Sequence, residues 1–196
     1  MEALLAAKAA GKIGHIGLTA HSLSVFERAL EIDEIETIMF PYNIVERQGE
    51  DLIARCKQKN VGFIAMKPLA GGAIDDATLA LRFIGAQENV TVVIPGMATD
   101  EEAQQNLQAM EDESVLSSQE LEKINRIRSE LGSEFCRRCN YCAPCSAGIS
   151  IYSMFLMEGY YKRYHLEQWA TDRYLAMSKT ASDCIGCGAC EDRCPY

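Results

Sequence analysis

Cysteine recurs at fixed intervals in the last sixty or so residues, and that spacing limits what this end of the chain can become. The final run reads Cys184-Ile185-Gly186-Cys187-Gly188-Ala189-Cys190-Glu191-Asp192-Arg193-Cys194-Pro195, or C-x2-C-x2-C-x3-C-P. Three thiolates at two-residue spacers can wrap one corner of a cubane of iron and sulfide, with Gly186 and Gly188 letting the backbone turn tightly. The fourth, displaced by one more residue and followed by proline, points away from that corner. An upstream run, Cys136-Arg137-Arg138-Cys139-Asn140-Tyr141-Cys142-Ala143-Pro144-Cys145, supplies a second set whose last spacer is two residues instead of three.

With two such runs, the fourth cysteine of each is assigned to the other cluster. The ligand sets are then Cys136, Cys139, Cys142 and Cys194 for one 4Fe–4S cluster, and Cys184, Cys187, Cys190 and Cys145 for the other. Structural zinc also uses Cys-x2-Cys pairs, but zinc sites usually join two separated pairs and have no use for three thiolates in a row. A zinc-stabilised structural protein is the alternative. The ninth cysteine, Cys56, sits in the helical pattern DLIARCKQK and reads as an inert, partly buried thiol.

A chain of 196 residues has room for one domain with a sizeable core and a small appended one. No apolar run approaches the roughly 18 residues that span a bilayer. The start, MEALLAAKAAGK, has no basic leader and no cleavage-like site, so it reads as a helix and the expected location is the cytoplasm. That compartment keeps thiols free for metals instead of disulfides. Net charge is −9, and through Gly132 there are 21 acidic against 12 basic residues, whereas the remainder holds 7 of each. An acidic surface has no electrostatic reason to approach nucleic acid or anionic lipid, so both are excluded as partners. The runs EIDEIE (31–36) and EDE (111–113) read as solvated faces.

Up to about residue 131 a short β-branched run, a loop and a helix-length amphipathic stretch repeat every 25 residues or so. Strands are expected at 12–19, 37–43, 61–67 and 90–96, with helices near 22–31, 49–59, 76–88 and 99–110. Ser22 and Thr99 or Asp100 are candidate caps. A further helix at 117–131 carries Ser117 with Glu120 three residues on, a capping-box pattern. Strand–helix alternation implies βαβ units and a parallel sheet, either barrel or doubly wound. VTVVI and VGFIAM, as continuous apolar runs, read as central strands. At Gly132-Ser133 the alternation stops, which sets the expected boundary between units 1–132 and 133–196. Between the two cysteine runs, aromatics and Met recur at helical spacings, so the second unit reads as small and helical.

The stretches GKIGHIGLTAHS, MFPYNIVERQGEDLIARCKQKNVGFIAMKPLAGG and VTVVIPGMATDEEAQQNL resemble the fifth to eighth strand–helix units of the aldo/keto reductase family. With its cysteine runs the whole chain resembles the iron–sulfur branch of that family. The resemblance implies an α/β fold: the C-terminal half of a TIM (β/α)8 barrel, about four βα units, followed by a small α-helical ferredoxin-like domain.

The resemblance also implies that the catalytic Asp, Tyr, Lys and His belong to the first four units, before the helix in which this sequence begins. The chain alone is therefore expected to lack carbonyl reductase activity, although the parent is an oxidoreductase. His15 reads as a packing histidine within a strand. His21, just past a strand end, faces a cofactor or serves the loop. The family holds its nicotinamide at the C-terminal ends of the last four strands, a barrel's usual active face, which implies Thr19, Met39, Lys67, Pro68, Leu69, Gly96, Met97 and Asn106 as NAD(P)(H) contacts in a complete barrel.

Ala20 and Met39 stand where the family commonly has Asn and Gln for the carboxamide, and Gly96 and Glu102 where it has Lys and Arg for the 2′-phosphate. An acidic Glu102 repels a phosphate, which argues against strong NADP preference. Hydride carries two electrons and a 4Fe–4S cluster passes one, a gap that a flavin or metal relay would bridge, and the sequence carries no motif for either. The expected partner is a redox protein or the missing N-terminal half-barrel. The alternative is a stand-alone electron carrier or docking module that completes its half-barrel with a partner.

Overall fold

Parallel strands need a crossover between neighbours, so each amphipathic stretch must carry the chain back to the start of the next strand. The computed structural model, which describes residues 1–132, 136–137, 139–162 and 166–194, has this arrangement. Its elements are α1 (Glu2–Ala9), β1 (Gly17–Thr19), α2 (Leu23–Ala29), β2 (Thr37–Pro41), α3 (Glu50–Gln58), β3 (Gly62–Met66), α4 (Ala77–Gly85), β4 (Val92–Ile94), α5 (Asp100–Glu111), α6 (Ser118–Leu131), α7 (Ile151–Lys162) and α8 (Glu167–Leu175). A short 3-10 turn follows at Ala181–Asp183. The chain divides into two compact units, Met1–Ala70 with Ile74–Gly132, and Gly71–Ala73 with Ser133–Tyr196.

In the first unit the four strands form one parallel sheet in the order β1-β2-β3-β4. Register places Leu18, Ile38 and Phe63 in one row and Thr19, Met39 and Ile64 in the next, on opposite faces. The row with Ile38, Phe40, Phe63 and Ala65 is fully buried. Phe26 of α2 lies 5.1 Å from Phe40 and 5.9 Å from Phe63, ring centre to ring centre, and anchors this core. Gly17 is required where β1 meets β2, because a Cβ there would fall 2.3 Å from the Thr37 hydroxyl.

The opposite face is only half covered, and Val92 and Ile94 are exposed. The VTVVI run is thus an edge strand, contrary to the central position its composition suggests. A single layer of helices covers one side, and hydrophobicity alone does not report which strands have two neighbours. β1 is likewise shorter than the expected 12–19. Its register starts at Gly17 opposite Thr37, so residues 12–16 have no β2 partner. His15 falls in that preceding loop, exposed and bonded to Glu36, which Lys8 also contacts. The expectation of a packing histidine is corrected accordingly: strand alternation does not apply where there is no strand. Cys56 is fully buried in α3, and burial pushes its thiol up to about 11.

Local sequence signals set the helix starts. Asp76 accepts the Leu79 N–H at 2.9 Å, and Thr99 accepts that of Glu102 at 3.2 Å. Ser117 and Glu120 form the expected capping box. Ser22 precedes α2 but makes no capping hydrogen bond, its hydroxyl pairing with that of Ser24. Helix α6 is tied to α4 by the buried Arg82, whose Nε donates to Glu120 at 2.6 Å and whose guanidinium also pairs with Asp112. Ile124 buries the apolar side of α6.

In the second unit α7 and α8 pack together, with Tyr160 edge-on to Trp169 at 4.9 Å and Arg173 stacked over the same indole at 4.1 Å. Among the described residues no helix is long and apolar enough to cross a membrane.

Two predictions concern α6. Ser117→Ala removes the cap and should cost about 1 kcal/mol, read as a lower urea midpoint at unchanged slope. Arg82, followed by the Ser117 contacts, holds the Glu120 carboxyl at about 2, against an ordinary 4.5. Because the folded value lies below the unfolded one, this stabilisation is complete above pH 4.5 and is lost as pH falls towards 2. Glu120→Gln should flatten the decline of melting temperature over that range; an unchanged acid limb would contradict the assignment.

Candidate functional site

Tight turns shape the backbone of both cysteine runs. Gly186 and Gly188 adopt φ of 65° and 73°, and Asn140 in the upstream run adopts 63°. Left-handed conformations of this kind are cheap for glycine and tolerated by asparagine. All nine cysteines are free thiols. The Cys184 sulfur accepts the Gly186 N–H at 3.4 Å, an orientation in which backbone dipoles favour negative charge on sulfur.

The structure brings cysteines of both runs near one another. Cys145, Cys184, Cys187 and Cys190 line one cavity of about 430 Å³, with Ile149, Met154 and Phe155 among its apolar walls. Cys142 stands near Cys136, Cys139 and Cys194: burial first, then the charge of these three thiols, pushes its pKa up. Both sets of contacts thus draw on both runs. Cys187 shifts the opposite way, its thiolate favoured by the Ala189 N–H, then the Ser146 hydroxyl, with a smaller contribution from the Arg193 charge.

Thiols gathered with backbone N–H donors, as at Cys184 and Cys187, are the donor chemistry that a cubane takes. Among the described residues no three His, Cys, Asp or Glu side chains converge as a single metal ion would require. A cubane spreads its four thiolates over four irons, so convergence on one point is not needed.

Of the residues implied for nicotinamide, Thr19, Lys67, Pro68, Leu69, Gly96 and Met97 lie at or after the C-terminal ends of their strands, whereas Met39 is in the middle of β2 and Asn106 in α5. The Thr19 hydroxyl faces the Met39 sulfur at 3.9 Å, in matching register. Lys67, Pro68 and Leu69 follow β3, Gly96 and Met97 are exposed after β4, and Asn106 is buried in α5. Lys67 and Ala70 adopt φ of 55° and 50°, a left-handed geometry costly for residues with a Cβ. His21 is half-buried, and burial, then the nearby Lys67 charge, lowers its pKa and so favours the neutral ring. The Glu102 carboxylate accepts the Ala98 N–H at 2.6 Å, which places an acid at the N-terminus of α5.

Sequence reasoning passed over Asn43 and Glu46, both fully buried at this edge. Asn43 Oδ1 accepts the N–H of Val45 and Glu46, while its Nδ2 donates to Glu46 at 2.8 Å and to the Lys67 carbonyl at 2.9 Å. Asn43 thereby joins the loops after β2 and β3. An Asn directly after an apolar run is the signal that was available, since its side chain mimics a backbone turn.

Comparison with known proteins agrees with both parts. The pattern of the aldo/keto reductase family matches residues 1–78 and 75–129, and that of the 4Fe-4S dicluster domain matches residues 135–196. An uncharacterised oxidoreductase of Schizosaccharomyces pombe is 26% identical over 122 residues, 54% of this chain and 40% of that protein. An aldo-keto reductase from Bacillus halodurans shares the fold in its holo form (TM-score 0.54, 22% identity) and its apo form (0.55, 21%). Each alignment covers 64% of this chain, and 54% and 55% of the respective structures, so the chain spans about half their length. The chain belongs to the aldo/keto reductase family and carries a 4Fe-4S dicluster domain after its parallel sheet.

Proposed function

We propose that this chain is the C-terminal part of an iron–sulfur oxidoreductase of aldo/keto reductase type, in which two 4Fe–4S clusters carry electrons. The observation that supports this best is that Cys145 lines one cavity with Cys184, Cys187 and Cys190, while Cys194 stands near enough to Cys142 for its charge to act there beside Cys136 and Cys139. Cys136, Cys139, Cys142 and Cys194 hold one cluster; Cys184, Cys187, Cys190 and Cys145 hold the other. The clusters supply single-electron transfer when bound. The protein supplies different surroundings for each. Cys184 and Cys187 are exposed and receive N–H and hydroxyl donors, whereas Cys142 is half-buried and surrounded by like charge. Hydrogen bonds to sulfur and solvent access would both favour the reduced state of a cluster held by Cys184 and Cys187.

In the sheet unit we assign Thr19, Met39, Lys67, Pro68, Leu69, Gly96, Met97 and Asn106 to one side of a nicotinamide site that needs further strands to close. Glu102 at the α5 N-terminus disfavours a 2′-phosphate, so NAD fits better than NADP. The reading includes a reducing, cytoplasmic setting for the free thiols.

A second reading has support in the open sheet: β1 and β4 are both edges, and β4 exposes Val92 and Ile94. Such edges pair readily, which suits an electron carrier whose half-barrel is completed by another chain. A mass measurement separates the two, since a monomer disfavours completion by a partner.

Protein purified anaerobically should contain about eight irons and eight sulfides per chain and show a broad visible band bleached by dithionite. Colourless, zinc-bearing protein would overturn the redox reading. A potentiometric titration should resolve two waves, with Ser146→Ala lowering the higher one. The chain alone should not turn over carbonyl substrates with NADH or NADPH, and measurable turnover would refute the assignment of the catalytic groups to the absent units.

A further inference from the structure

The two four-thiol groups require the C-terminal run to lie against the upstream run, and one side chain joins them directly. Arg193 Nη1 donates to the carbonyl of Cys142 at 3.1 Å and to that of Pro144 at 2.5 Å, across 51 and 49 positions of sequence. These carbonyls flank the segment from Cys142 to Cys145, whose two cysteines stand in different groups. On its own side Arg193 is held by a coiled backbone. Glu191 and Asp192 N–H both donate to the Gly188 carbonyl, at 2.9 and 3.2 Å, and Cys194 N–H donates to that of Glu191 at 3.0 Å. The guanidinium and the Cys194 thiol are therefore presented together by one turn. Its charge also reaches the Cys187 thiol.

Resting on the two-cluster reading above, we propose that Arg193 is a positioning residue that docks the two cysteine runs on each other, so that Cys194 enters the first group as Cys145 enters the second. Arginine suits this place for physical reasons. It is charged at every working pH, and its donors strengthen bonds to neutral carbonyls. Its positive charge also acts on the Cys187 thiol, where it offsets the repulsion among gathered thiolates. Direct ligation is left to the cysteines, and Arg193 acts through Cys194.

The test compares wild type, Arg193→Ala, Arg193→Lys, Cys194→Ala and the Arg193→Ala/Cys194→Ala double variant of the full chain after anaerobic reconstitution. Iron and sulfide per chain, the rate of iron loss to a chelator, and low-temperature EPR of the dithionite-reduced protein are measured. Wild type should hold about eight irons and show the broadened spectrum of two neighbouring reduced clusters. Arg193→Ala should fall towards about four, lose iron several-fold faster and lose the broadening, whereas Arg193→Lys, which keeps a cationic donor, should recover most of each. The double variant should be no worse than Cys194→Ala, because both changes remove the same step.

Wild-type iron content, chelation rate and EPR in Arg193→Ala would overturn the proposal, as would an Arg193→Lys variant no better than Ala. Losses that add in the double variant would also overturn it, by making Arg193 independent of Cys194. A wild type holding only four irons, or zinc, would instead remove the two-cluster reading itself.

Discussion

Parallel backbone pairing is the constraint from which the sheet unit follows. A parallel neighbour can be reached only through a crossover, so every strand is paired with a helix and all the strand C-terminal ends lie on one edge. The apolar residues of β2 and β3 that face these helices are fully buried, with Phe26, Phe40 and Phe63 at their centre. The residues of the other face, from Thr19 and Met39 to Val92 and Ile94, are covered only in part. In a closed barrel that second face is the packed interior, so its exposure and the free edges at β1 and β4 are two aspects of one fact.

The cysteine unit obeys a different constraint. Thiolates repel one another, and their gathering is favourable only where donors, positive charge or a metal centre stabilise them. The turns around Gly186 and Gly188 aim backbone N–H groups at sulfur, while Arg193 brings a cation to the place where the two runs meet. On the proposed ligand sets the two sites are interdependent, because each takes one cysteine from the other run.

Much of this was legible in the residues. Every helix expected between 22 and 131 is present, since amphipathic period and caps such as Thr99 and Ser117 are local signals that act over a few residues. The capping box at Ser117 needed nothing beyond its own sequence. Strand limits were less legible: residues 12–16 look as β-branched as 17–19, but a strand exists only where a neighbour offers hydrogen bonds. The same reasoning explains the mistaken places of VTVVI in the sheet and of His15 in a strand.

The sequence by itself determined the strand–helix alternation, the change of character after Gly132 and the two cysteine runs with their spacing, because each depends on order along the chain. Only the tertiary structure decided which face of the sheet is covered, that Asn43 bonds the loops after β2 and β3, that Arg82 ties α6 to α4, and that Arg193 reaches back to Cys142 and Pro144. These contacts join residues from 24 to 51 positions apart, and no local pattern encodes a partner at that distance. Chain spacing says what a residue can do, whereas packing decides what it meets.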